Sequence, residues 1–236
     1  MSANSKMPMM RFSIYRNEVW SGQREEREHF MSLTESQLRD KMGFAAGLAV
    51  QKTRPTLDRH SRKFISMSPF LVLSTSSAEG KADVSPRGDP PGFVHIIDDG
   101  AFLIPDRPGN NRLDTMVNIA QNPNVACLFF IPGFEDTLRV AGKAHITDDA
   151  NLLKHCIANG KQPTVGVVVK VEEAFIHCAK ALRRSKLWQD DYKQDRTQMP
   201  SIARIVLEQV EGDAVDEQRV CEADVGVEQN YKNEMY

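Results

Sequence analysis

Between Phe70 and Pro105 the chain places four short strand-like segments within 36 residues: FLVLSTS (70–76), ADVSPRG (82–88), FVHII (93–97) and AFLIP (101–105). The turn sequences SAEGK and DDG punctuate them. Linkers this short join neighbouring strands only as antiparallel hairpins, because a parallel partner needs a crossover of about a dozen residues or more. The segment is therefore an antiparallel meander, and it limits the folds open to the rest of the chain.

Downstream, NNRLDTMVNIAQ (110–121) sets Leu113, Met116, Val117 and Ala120 at helical spacing and ends at Asn122-Pro123. Strands resume in NVACLFFIP (124–132), TLRVAGKAHIT (137–147) and TVGVVVKVEEAFIHC (164–178), with a helix predicted in DDANLLKHCIA (148–158). Roughly seven strands and a few peripheral helices, without β-α-β alternation, predict a mainly β protein built as a closed antiparallel barrel. Upstream, residues 32–50 read as a helix with Thr34 and Gln37 at capping-box spacing, and a second helix at 58–66 is stopped by Pro69. ALRRSKLW and SIARIVLEQV read as helices, and the chain beyond about 211 as loosely structured.

The 30 basic and 32 acidic side chains leave a net charge of −2, which argues against a general electrostatic hold on nucleic acid or anionic lipid. Any anion must be bound locally. Residues 1–63 hold twelve Lys/Arg against seven Asp/Glu, and residues 200–236 three against nine, so a basic head and an acidic tail flank a neutral body. Cys127, Cys156, Cys178 and Cys221 are too widely spaced for a zinc knuckle or a dithiol motif, which predicts reduced thiols and a cytoplasmic location. The N-terminal MSANSKMPMMRFSIYRNEVW is too polar for a signal peptide, and no run of eighteen apolar residues predicts a membrane span.

No G-x-G, P-loop, H-E-x-x-H or G-x-S-x-G pattern occurs. His29, His60, His95, His145, His155 and His177 show no paired metal spacing, so no metal site is predicted. Cations and small polar residues do gather at strand ends. SPRGD (85–89) puts Ser85 and Arg87 where a strand meets a turn, and IPDRPGNNR (104–112) puts Arg107, Asn110, Asn111 and Arg112 between a strand and a helix. Helix N-termini offer unpaired N–H groups and Arg a two-pronged donor, so the pattern suits a phosphate. The same residues also read as surface ion pairs, Arg87 with Asp89 and Arg107 with Asp106 or Asp114.

SPFLVLSTS, VSPRGDPPGFV, IPDRPGNNRLDTMVNI, LRVAGKA and HCAKALRRSKLW together resemble the pyridoxamine 5'-phosphate oxidase-like FMN-binding split-barrel superfamily, and within it a bacterial subfamily carrying SPRGD and PDRPGNNR. The resemblance implies a six-stranded antiparallel split β-barrel at 57–190 that binds FMN without a covalent link at a homodimer interface. An N-terminal extension (1–56) and a C-terminal helix with an acidic tail (191–236) would flank it. Carried over by position, Val84, Ser85 and Arg87 border the flavin, and Arg107, Asn110, Asn111 and Arg112 form the phosphate clamp. GNNR stands where the oxidase has an S-R-K-type run, and the oxidase's C-terminal substrate-binding pattern is not evident.

Arg139 lies on a strand that the resemblance sets near the flavin, or it pairs with Asp136. Lys180 and Arg184 share a helix face and could approach the cofactor from a partner subunit, with Trp188 stacking on a ring; alternatively Trp188 is a packing anchor and the cations are solvated. Cys178 beside His177 reads as a strand-end cysteine rather than a nucleophile, and no catalytic residue is assigned. The functional expectation is an FMN-dependent oxidoreductase of unknown substrate and reductant. The alternatives are a flavin carrier or sensor without turnover, and a barrel binding haem or a deazaflavin.

Overall fold

The computed structural model describes residues 32–45 and 47–236. Residues 1–31 and 46 lie outside the described residues, and with them His29 and most of the expected N-terminal extension. The chain divides into two units, Met1–Ala46 and Gly47–Tyr236. In the first, α1 (Glu35–Met42) starts with the expected capping box, Thr34 Oγ1 accepting from the Gln37 N–H and Gln37 Oε1 from the Thr34 N–H. It stops at Gly43, whose φ of 72° lies in the left-handed region that glycine tolerates best, so the helix predicted over 32–50 is interrupted.

The second unit begins with α2 (Leu48–Gln51) and α3 (Arg59–Met67). Asp58 caps α3, and the hydrogen bond from the Ser61 N–H holds its carboxyl below the usual carboxylate range. Strands β1 (Phe70–Ser76), β2 (Ala82–Gly88), β3 (His95–Asp98) and β4 (Ala101–Pro105) follow, then α4 (Asp114–Gln121), β5 (Asn124–Phe130) and β6 (Thr137–Thr147). After these come α5 (Ala150–Leu153), β7 (Gly166–His177), α6 (Lys180–Ser185), α7 (Ile202–Glu211) and α8 (Glu217–Asn233).

All pairings are antiparallel, in the order β2-β1-β5-β6-β7-β4-β3. The barrel is split, as the resemblance implies, and not closed as the strand pattern alone suggests: β2 and β3 form the two edges, and among the described residues they do not pair with each other. Seven strands stand where the resemblance implies six, because the four-residue β3 adds itself along β4. Burial alternates along β1 and β5 and points Leu71 and Leu73, Cys127 and Phe129 inward, where they meet Phe102, Ile104, Leu138, Val140, Val167 and Val169. Phe102 meets Phe129 edge to face at 5.8 Å, and Ile65 of α3 plugs the core with no exposed surface.

Burial fixes the thiols as well. Cys127 is enclosed in the core, which pushes its thiol up to about 12, and no described cysteine is disulfide-bonded. Val168 points out of the barrel, and Leu153 and Cys156 cover it, so the start of β7 is buried on both faces within one chain. The tail also departs from expectation, since α8 spans 17 residues. Its amphipathic pattern is weak, but Asp216 caps it and Arg204–Glu217 and Arg219–Glu211 ion pairs tie it to α7, with Ala203 and Val220 buried.

Candidate functional site

Two loop-bearing edges converge. The end of β2 carries Ser85, Arg87 and Asp89, and the connection from β4 to α4 carries Asp106 to Leu113. The ion pairs predicted inside each segment form instead between them: Arg87 Nη1 bonds Asp106 Oδ1 at 2.7 Å, and Arg107 Nε bonds Asp89 Oδ2 at 2.7 Å. Successive side chains of an extended segment point to opposite sides, so Asp106 and Arg107 do not pair with each other and each reaches across. Arg87 also donates to Ser85 Oγ at 3.0 Å, and Arg107 to the Cys156 carbonyl at 3.0 Å. The Asp89 side chain is only 2% exposed, which makes Arg107–Asp89 an interior staple and not a surface pair.

Beyond this staple the backbone takes an unusual path. Asn111 and Leu113 have φ of 56° and 58°, left-handed values that non-glycine residues seldom adopt and that cluster at ligand clamps. Leu113 is the N-cap of α4 and supplies no side-chain hydrogen bond, so the first N–H groups of this eight-residue helix have no side-chain cap. That turn also explains why the helix predicted from 110 begins at Asp114. A polar network seats α4 on the sheet, with Thr115 Oγ1 donating to Asp83 at 3.3 Å and Asn118 Nδ2 to Thr75 Oγ1 at 3.1 Å.

These parts surround a cleft of 1190 Å³ lined by Val84, Ser85, Arg87, Arg107, Asn110, Asn111 and Arg112, together with Asp83, Thr115, Lys161, Thr164 and Tyr236. Seven of the sequence-predicted site residues are thus brought together. Lys161, Thr164 and Tyr236 were missed because no local motif marks them: they come from the loop before β7 and from beyond α8. Arg112 pairs with Asp114 at 2.8 Å and keeps 73% of its side chain exposed. Behind the cleft, His95 and His155 stack at 4.3 Å, and burial together with the charge of His155 lowers the tendency of His95 to protonate.

Arg139, Lys180, Arg184 and Trp188 do not line this cleft. Arg139 lies over the Phe175 ring at 5.7 Å, and Trp188 Nε1 donates to the Phe134 carbonyl at 2.7 Å, a packing anchor for the segment after α6. Lys180 and Arg184 are exposed. Among the described residues no cluster of three or more His, Cys, Asp or Glu could hold a metal ion, and no helix is long and apolar enough to cross a membrane.

Residues 57–178, from the segment entering α3 to just past β7, match the family Pyridoxamine 5'-phosphate oxidase. The chain belongs to that family. No curated protein matches it. Similar solved structures include a putative pyridoxamine 5'-phosphate oxidase from Lactobacillus delbrueckii, at 20% identity and TM-score 0.42 over 52% of this chain and 95% of that one. Others are General Stress Protein 26 from Bacillus anthracis (19% identity, TM-score 0.38, 49% and 88% covered) and an FMN-binding protein from Syntrophomonas wolfei (11% identity, TM-score 0.36, 61% and 96% covered).

Proposed function

We propose that the protein is an FMN-dependent oxidoreductase that holds its cofactor without a covalent link in this cleft and works as a homodimer. The observation that carries this reading is the left-handed turn at Asn111–Leu113, which leaves the N-terminus of α4 without a side-chain cap, with Arg112 and Arg87 lining the same cleft. Uncapped helix N–H groups with guanidinium donors suit a terminal phosphate monoester. Asn110, Asn111, Arg112 and Arg87 would grip that phosphate, while Val84 and Ser85 on β2 would border the ring system. FMN, when bound, supplies redox chemistry of one or two electrons. The chain's own residues bind and orient it. Val84 (64% exposed), Leu113 (56%) and Val117 (49%) form an apolar rim beside the cleft, which supports a second subunit closing it and bringing Lys180, Arg184, Arg139 and Trp188 near the ring.

Mass analysis of the released cofactor tests the reading. FMN is expected; FAD, or no flavin after reconstitution, would overturn it, and oxidation of NADH or NADPH with an added acceptor would separate turnover from mere carriage. Arg87→Ala and Arg112→Ala are each expected to weaken FMN binding by about 10- to 150-fold, since a charge-assisted hydrogen bond is worth on the order of 1.5–3 kcal/mol. Wild-type affinity in both variants, by flavin fluorescence titration, would remove the phosphate grip from this place.

A further inference from the structure

Three separate contacts converge on Tyr236. Its hydroxyl donates to the buried Asp89 carboxylate, its ring lies 5.6 Å from the Arg107 guanidinium, and its backbone oxygen accepts from Lys161 Nζ. The residue also divides two spaces, the 1190 Å³ cleft and a 790 Å³ cavity between the 107–110 segment and the end of α8. A side chain that merely filled surface would not engage both members of the staple under the cleft wall. We propose that Tyr236 is a latch: it fastens the segment after α8 to the wall of the cleft, and ligand exchange requires its contacts with Asp89, Arg107 and Lys161 to open.

The chemistry gives the latch a defined strength. A phenol donating to a carboxylate is a charge-assisted bond, and a cation over an aromatic face adds to it where water is partly excluded. The Asp89 hydrogen bond raises the Tyr236 phenol above its ordinary value near 10, so the donor proton is retained at neutral pH. A raised value makes this contact complete below the ordinary phenol range, and it is lost as the pH rises through the folded value. Asp89 and Arg107 are the charged groups facing the phenol, and Lys161 faces the backbone.

The occupant of the cleft is taken from the FMN reading, whereas the latch itself is not, and the test separates the two. Tyr236→Ala should raise hydrogen–deuterium exchange in residues 217–236 and 106–110 of the apoprotein without changing the rest of the barrel. It should also speed dissociation of bound FMN by about tenfold or more, the equivalent of one charge-assisted bond. Tyr236→Phe keeps the ring beside Arg107 and loses only the hydroxyl bond to Asp89, so its effect should be intermediate; the Lys161 contact, made by the backbone, stays in both variants. Unchanged exchange in Tyr236→Ala would overturn the latch whatever the cleft binds, and altered exchange with an unchanged dissociation rate would overturn its control of entry. Altered exchange in a protein that binds no flavin would uphold the closure and sink the FMN reading instead.

Discussion

Arg107→Ala is expected to cost about 3 kcal/mol of stability, because it strips the cation from a carboxylate that is 2% exposed. Asp89 would keep only the Tyr236 hydroxyl, too little to offset a buried charge. The Cys156 carbonyl would lose its donor in the same step, which frees the short helical segment behind the cleft. Urea unfolding measures the loss as a lower midpoint at constant slope. Arg112→Ala is the control: its pair with Asp114 is solvent-exposed, so less than about 1 kcal/mol should be lost. A change that small for Arg107→Ala as well would mean that the staple behaves as a surface pair and that the cleft wall is held by something else.

Gly142→Ala is expected to disrupt the centre of the sheet. A Cβ at Gly142 would stand 2.0 Å from the Lys170 carbonyl oxygen and 3.2 Å from the Glu172 nitrogen, where the β6–β7 register shifts between Ala141 and Gly142. Both obstacles are backbone atoms of the longest strand pair, so relief requires the strands to separate or the bulge to move. Overpacking of this kind costs typically 1–3 kcal/mol, and the upper end, about 3 kcal/mol, applies where nothing flexible can yield. For a unit of this size that lowers the melting temperature by about 6–12 °C. Gly226→Ala supplies the contrast, since that helical site has no atom within 4 Å of the added Cβ and the substitution should stabilise α8 by up to about 1 kcal/mol. A Gly142→Ala protein that melts with the wild type would show that the bulge is not a required feature.

Much of this architecture is local information. The alternation in FLVLSTS and NVACLFF sets which side chains face the core, the short turns impose antiparallel hairpins, and Thr34 with Gln37 marks the start of α1, because each depends on residues within one strand, one turn or one helical turn. SPRGD and PDRPGNNR were likewise legible as two polar strand ends suited to an anion. Three features were not. The exchange of ion-pair partners between those segments depends on how two extended edges face each other, which spacing along either one does not encode. Whether the barrel closes depends on whether β2 and β3 meet, a matter of accumulated twist across seven strands. Lys161 and Tyr236 reach the cleft from 54 and 129 positions beyond Arg107, and only the packing of β7 and α8 against the rest of the chain brings them there. Sequence by itself determined the strands, their pairing sense and the polar ends that line the cleft, since those follow from short-range sterics and burial pattern; tertiary structure decided which charges meet, where the sheet stays open and which distant residues join the cleft wall, since those depend on distances between segments far apart in the chain.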